Sequence, residues 1–251
     1  IKLLYKENDF SQRMISRKLN CYLGKANETL KKLKELDYLN EDNSLTNLGM
    51  NLIKKDKSAI ILAAGQGIRM IPINNNVPKA MLEINGEILI ERIIRQLLEA
   101  NIHDITIVVG FMKERYFYLE DKYNVCLISN NKFENKGNLY SLFVARGYLR
   151  NTYICCADHY FVENPFLIKR DYSYRACVWK DGNFNEFAIK KSDCDVITEV
   201  SVGGCNSLAM VGHAYFTEKF SKVFCEFLEK EINEFRVTDL FWEEFYAKHI
   251  N

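Results

Sequence analysis

The chain has 251 residues, 48% of them hydrophobic, enough to bury the core of one medium domain and a small one beside it. A formal net charge of +1 argues against a chain devoted to nucleic acid, and no apolar run reaches the roughly 18 residues that a membrane span requires. The N-terminus has no signal-peptide core, and the eight cysteines show neither C-x-x-C nor the paired spacing of a zinc site, so a cytoplasmic protein with reduced thiols is expected.

Residues 1–55 read as a domain of their own. Ser11 to Asn20 and Lys25 to Leu36 have the periodicity of two amphipathic helices, with Met14, Ile15 and Leu19 on one face and Leu30, Leu33 and Leu36 on the other. DYLNEDNSLTNLGMNLI then reads as the strand, polar turn and second strand of a wing, so this part resembles a small winged helix of the kind found in bacterial repressors. Its helix KANETLKKLKEL carries lysines and no arginine, the commoner choice for reading guanine. A packing or regulatory role is therefore the expectation, and DNA binding the alternative.

The second domain spans 58–251. Ser58 to Ala64 is an apolar run of strand length, Gly65 and Gly67 open a turn, and Arg69 and Lys79 bring two positive charges to the end of that strand. Close backbone approach and fixed cations are what a triphosphate needs. Pro78 stiffens the backbone that carries Lys79. EILIERIIRQLLEANI follows with helical spacing, and DITIVVG is a β-branched run typical of a strand covered on both faces. A helix (Lys113 to Tyr123), a strand (Val125 to Ser129), a helix (Asn138 to Tyr148) and a strand (Thr152 to Ala157) come next.

This alternation implies an α/β fold with a doubly wound, mostly parallel sheet, whose ligands bind beyond the carboxyl ends of the strands. The Gly65 turn, Gly110 and Asp158 fall along that edge. Beyond Asp158, ACVWKDG, NEFAIKKS, VITEVSVGG and SLAMVGHAYF alternate with turn residues like strands of an antiparallel sheet.

AAGQGIR followed by VPKAMLEING resembles the signature of the nucleotidyltransferases that join a nucleoside triphosphate to a sugar-1-phosphate or to phosphocholine, and is most similar to the bacterial phosphocholine cytidylyltransferase branch. ADHYF resembles the D-N-Y of those enzymes, NNKFENKGNLYSL their N-N-x-Y-S-L, NEF at 185–187 their N-E-W, and DLFWEE at 239–244 their D-L-Y-W-D. The resemblance implies a Rossmann-like nucleotidyltransferase fold. Ala63, Ala64, Gly65, Gln66 and Gly67 would then hold the nucleotide together with Asn138 and Ser141, while Lys79 and Arg69 act in catalysis. Asp158 and Glu243 become ligands of Mg²⁺, and Phe187, Asp239 and Phe241 line the pocket of the second substrate. Asn138 also reads as a helix cap and Asp158 as a turn residue, while Phe245 and Tyr246 fit a core as well as a pocket.

Three departures stand out: Phe187 replaces Trp, Phe241 replaces Tyr, and Glu243 replaces the shorter Asp. They leave room for a smaller or zwitterionic substrate, such as the phosphoglutamine of the related capsule-modifying enzymes, instead of a quaternary ammonium. The expected reaction is attack by a phosphomonoester oxygen on the α-phosphorus of CTP with release of pyrophosphate, serving capsule biosynthesis. The partners implied are CTP and a small phosphorylated amine or amino acid, with no membrane. A sugar-1-phosphate nucleotidylyltransferase using UTP or dTTP and a nucleotide-sensing DNA-binding regulator are the alternatives.

Overall fold

The computed structural model describes residues 12–18, 21–54, 57–67, 77–134, 137–168, 170–234 and 236–250. The chain divides into two compact units, Ile1–Lys57 and Ser58–Asn251.

In the first unit, helices α1 (Gln12–Lys18) and α2 (Leu23–Glu35) pack through Ile15, Ala26 and Leu30. Leu39 then bridges to Leu45 across a polar turn. The expected second wing strand is a helix instead, α3 (Asn47–Lys54). The cause is local, because the Thr46 hydroxyl accepts a hydrogen bond from Gly49 N at 3.0 Å and so caps the first turn. Gly49 also packs against the Tyr38 carbonyl, where a Cβ would sit 2.1 Å from the oxygen. The L-T-x-x-G pattern is thus a capped, tightly packed helix start. Leu19 lies outside the described residues.

The second unit holds a six-stranded sheet in the order β5-β4-β1-β6-β8-β7. Its strands are β1 (Ser58–Ala63), β4 (Asp104–Val109), β5 (Cys126–Ser129), β6 (Thr152–Cys156), β7 (Tyr174–Lys191) and β8 (Ile197–Phe216), with a small β2 (Glu83–Ile84) and β3 (Glu87–Ile88) hairpin apart. β4, β5 and β6 run parallel with β1 or its neighbour, and β8 joins β6 antiparallel. The central strand β1 is buried along its whole length, and its residues alternate between two cores. Ala59, Ile61 and Ala63 pack with Ile90, Ile93, Ile94 and Leu97 of α4 (Leu89–Glu99). Ile60 and Leu62 face Leu139 and Leu142 of α6 (Asn138–Val144), Phe224 of α7 (Glu218–Glu231) and Phe245 of α8 (Trp242–Lys248). A strand with helices on both faces must be apolar at every position, which is why its sequence does not alternate.

Two elements differ from the sequence expectation. The segment 113–123 breaks into a 3₁₀ turn and the short helix α5 (Tyr118–Tyr123). The four antiparallel strands merge into β7 and β8, long enough to double back: Ala188 pairs with both Ser201 and Ala209. Phe245 is 1% exposed and belongs to the core.

On β8, His213 is 6% exposed among the rings of Tyr153, Phe161, Phe166 and Tyr174, and its Nε2 shares a 2.7 Å hydrogen bond with the Tyr174 hydroxyl. Burial, with Arg175 nearby, lowers its pKa to about 4. A base with a depressed folded-state pKa binds fewer protons folded than unfolded, so stability falls as pH drops from about 6.5 towards 4, by roughly 3 kcal/mol across the window. His213→Gln should therefore lose much less stability between pH 7 and pH 5 in urea unfolding than the parent does. An unchanged pH dependence would remove His213 as the cause.

Candidate active site

A cleft of about 460 Å³ opens beyond the carboxyl ends of β1, β4 and β6. Its floor is the end of β1 and the bend that follows, from Leu62 through Gly67. Gly67 sits at φ +64, a left-handed conformation that glycine adopts without strain, and Gly65 has open space where a Cβ would be. The bend is anchored by neighbouring strands: Phe111 N donates to Ala64 O at 3.0 Å, and the Tyr116 hydroxyl donates to Ala63 O at 3.3 Å. Gly110 is required here because a Cβ on it would lie 2.7 Å from Ala64 O. Arg69 lies outside the described residues.

Lys79 enters from a 3₁₀ turn that begins directly after Pro78. Its ammonium donates to Asp158 Oδ2 at 2.5 Å, with both side chains about a third exposed. Asp158 lies two residues past the end of β6, where the backbone of Ala157 still donates to Leu62 O at 3.0 Å. Burial works to raise the Asp158 carboxyl, and the ammonium of Lys79 outweighs it, leaving the group below its ordinary value. His159 follows with its Nδ1 buried and without a hydrogen-bond partner, and burial lowers its pKa.

The far wall is α6 and the segment before α8. Ser141 is 4% exposed and accepts a 3.1 Å hydrogen bond from Asn130 Nδ2. Asn138 does not cap its own helix, which begins after Gly137. Its Oδ1 instead accepts from Trp242 N at 2.8 Å, the first residue of α8. The two segments are joined through the backbone as well, Gly137 N donating to Thr238 O at 2.9 Å and Leu139 N to Leu240 O at 3.3 Å. Phe241 projects from this seam into the cleft, and its ring meets that of Phe187 edge to face, centroids 6.2 Å apart. Asp239 is exposed on the same seam, its carboxylate accepting from the Thr238 hydroxyl at 3.4 Å.

Glu243 is placed deeper. Its side chain is 7% exposed and its Oε1 lies 3.3 Å from Arg175 Nη2, whose side chain is 9% exposed. Burial raises the Glu243 carboxyl, and Arg175 offsets part of that rise. Cys156 lines the cleft wall, and burial together with the charges of Glu243 and Asp158 pushes its thiol up to about 12. Of the residues expected from the sequence, Ala63, Ala64, Gly65, Gln66, Gly67, Lys79, Asn138, Ser141, Asp158 and Phe241 line this one cleft. Tyr116, Asn130 and Phe133 line it too, and Arg175 backs it. Asn130 and Phe133 stand within the NNKFENKGNLYSL stretch, where the sequence singles out only Asn138 and Ser141, while Tyr116 and Arg175 belong to no motif; an arginine beside the apolar run at the start of β7, YRACVW, is the signal that could have marked the last of them.

The MobA-like NTP transferase domain family matches residues 59–172. A choline-phosphate cytidylyltransferase of Streptococcus pneumoniae is 32% identical over 192 residues, 76% of this chain and 84% of that protein. The chain belongs to the cytidylyltransferases. A second cytidylyltransferase, the 2-aminoethylphosphonate cytidylyltransferase of Lancefieldella rimae, is 32% identical over 77% of this chain and 80% of its own length. The solved structure of the Streptococcus pneumoniae CTP:phosphocholine cytidylyltransferase superposes with a TM-score of 0.74 at 31% identity, covering 78% of this chain and 86% of that one. None of the described helices of this cytidylyltransferase is long and apolar enough to cross a membrane.

Proposed function

We propose that this cytidylyltransferase moves the cytidylyl group of CTP onto the phosphate or phosphonate oxygen of a small amine-bearing acceptor. The observation that carries the reading is the cleft itself. The glycine bend, the Lys79–Asp158 pair and an aromatic ring, the groups suited to a donor, a reacting phosphorus and an acceptor, share one cavity at the strand ends. The acceptor oxygen attacks the α-phosphorus, the bond from that phosphorus to the β-phosphate oxygen breaks, and pyrophosphate leaves with the electron pair.

Lys79 balances the charge that builds on the phosphates, with Arg69 as the second cation, and the amides of Gly65 to Gly67 hold the triphosphate. Asn138 and Ser141 present amide and hydroxyl groups to the nucleoside. The Phe187–Phe241 pair offers ring faces to the acceptor's ammonium, and Asp239 adds negative charge nearby. The oxygen-rich donors suit Mg²⁺: Asp158 offers a carboxylate at the cleft, and Glu243 has a buried Oε2 without a partner. Cys156 does not suit it, because its thiol is held protonated. When bound, Mg²⁺ would neutralise the phosphate oxygens. The CDP-linked product is read as a cytoplasmic donor for decorating a cell-surface polysaccharide.

The test is a pyrophosphate-release screen of CTP, UTP, ATP, GTP and dTTP against phosphocholine, 2-aminoethylphosphonate, phosphoglutamine and glucose-1-phosphate, with and without Mg²⁺. CTP with one of the amine-bearing acceptors should be turned over fastest, and only with the divalent ion present. Preference for glucose-1-phosphate with UTP or dTTP would replace this reading.

A further inference from the structure

Each carboxylate offered to the divalent ion is already held by a base, Asp158 by Lys79 and Glu243 by Arg175. The second pair is the more demanding. Arg175 Nε and Nη1 and Glu243 Oε2 are all buried with no hydrogen-bond partner. Leaving donors and an acceptor of a charged pair unpaired in the interior is costly, and a chain tolerates it where a ligand supplies the missing partners. The backbone is arranged to put the arginine there. The β7–β8 register slips between Arg175 and Cys177, opposite Gly212 at φ +94, and such a bulge re-aims side chains beside active sites. The guanidinium lies 5.5 Å from the ring of Trp242, the residue that follows Phe241 of the cleft wall and whose amide is bonded to Asn138 of the same wall.

Lys79 is the cation among the described residues that line the cleft, and the triphosphate uses it. A second, doubly negative phosphate arriving beside that triphosphate needs positive charge of its own, and a planar guanidinium with open donors matches its oxygens. We propose that Arg175 receives the phosphate or phosphonate group of the acceptor, its guanidinium held in place by Glu243 until the acceptor arrives. This rests on the cytidylyl-transfer reading and assigns the acceptor's anionic end to a residue that no sequence motif contains.

Trp242 supplies the readout. Trp179, the second of the two tryptophans and 62% exposed, is first replaced by Phe so that emission reports Trp242 alone. Phosphocholine, 2-aminoethylphosphonate, phosphoglutamine and inorganic phosphate are titrated, with choline as the phosphate-free control. At least one acceptor should give a saturable change that choline does not. In Arg175→Gln its Kd should rise at least about tenfold while the Kd for CTP stays within about twofold. Arg175→Lys, which keeps the charge and loses the fork, should fall between, and carries the test if the glutamine variant does not fold. Glu243→Gln frees the arginine and should bind the acceptor at least as tightly as the parent.

The proposal is overturned if no probe binds the parent, if Arg175→Gln binds the acceptor as the parent does or loses CTP equally, or if Glu243→Gln loses the acceptor too. Acceptor binding that depends on Arg175 without any pyrophosphate release would sink the transferase reading and leave this one standing.

Discussion

Lys79→Ala should lower the rate of pyrophosphate release by about a hundredfold or more, the scale of losing one fixed electrostatic stabiliser in a partly enclosed site. The side chain is fixed in place from both ends, since Pro78 sets the backbone before it and its ammonium reaches Asp158 across the mouth of the cleft. Asp158→Ala should cost a similar factor. Because the two side chains touch, their effects should not add, and the double variant should be clearly faster than the product of the two single losses predicts. Lys79→Ala also leaves Asp158 without its partner, so binding of Mn²⁺ in the absence of nucleotide should strengthen even as turnover collapses. Turnover near the parental rate in either single variant would take these residues out of the chemistry.

Gly137→Ala should be the most damaging change of one methyl group. The added Cβ would lie 2.0 Å from Leu240 O and 2.6 Å from Asp239 O, and both are backbone atoms that cannot swing aside. The seam would have to open, breaking the hydrogen bonds from Gly137 N to Thr238 and from Leu139 N to Leu240 and straining the Asn138 contact with Trp242 N. Overpacking with the loss of such bonds amounts to roughly 3 kcal/mol, or about 6–12 °C in melting temperature for a unit of this size. Affinity for CTP should drop with it, since Asn138 and Ser141 sit on the displaced wall. A melting point within about 2 °C of the parent, with CTP binding intact, would show that the seam tolerates separation.

The parts of this molecule that can be read from sequence are those where one local rule dominates. The unbroken apolar run of β1, the helical spacing of α4 and the glycine bend each follow from short-range chemistry, and so does the aspartate just past β6. The second strand expected of the wing gives way to a helix after the Leu39–Leu45 bridge because Thr46 and Gly49 act through a cap and a close approach to Tyr38, contacts that a strand pattern does not encode. Likewise β7 and β8 read as four strands because turn residues such as Gly182 and Gly203 mark bends within continuous strands. Arg175 and Tyr116 stay hidden for a different reason. Each reaches the cleft from an element whose position depends on the assembled sheet. The partner of Asn138 lies 104 residues away, so its capping of α8 in place of its own helix has no sequence signal.

The seam between residues 137–139 and 238–242 means that the wall facing the nucleoside and the ledge carrying Phe241 form a single rigid piece. Any shift in that ledge to suit a bulkier acceptor would be transmitted to the donor side. Diversification among relatives should therefore proceed by exchanging rings and carboxylates on a fixed frame, at Phe187, Asp239 and Phe241, with the underlying main chain conserved in shape.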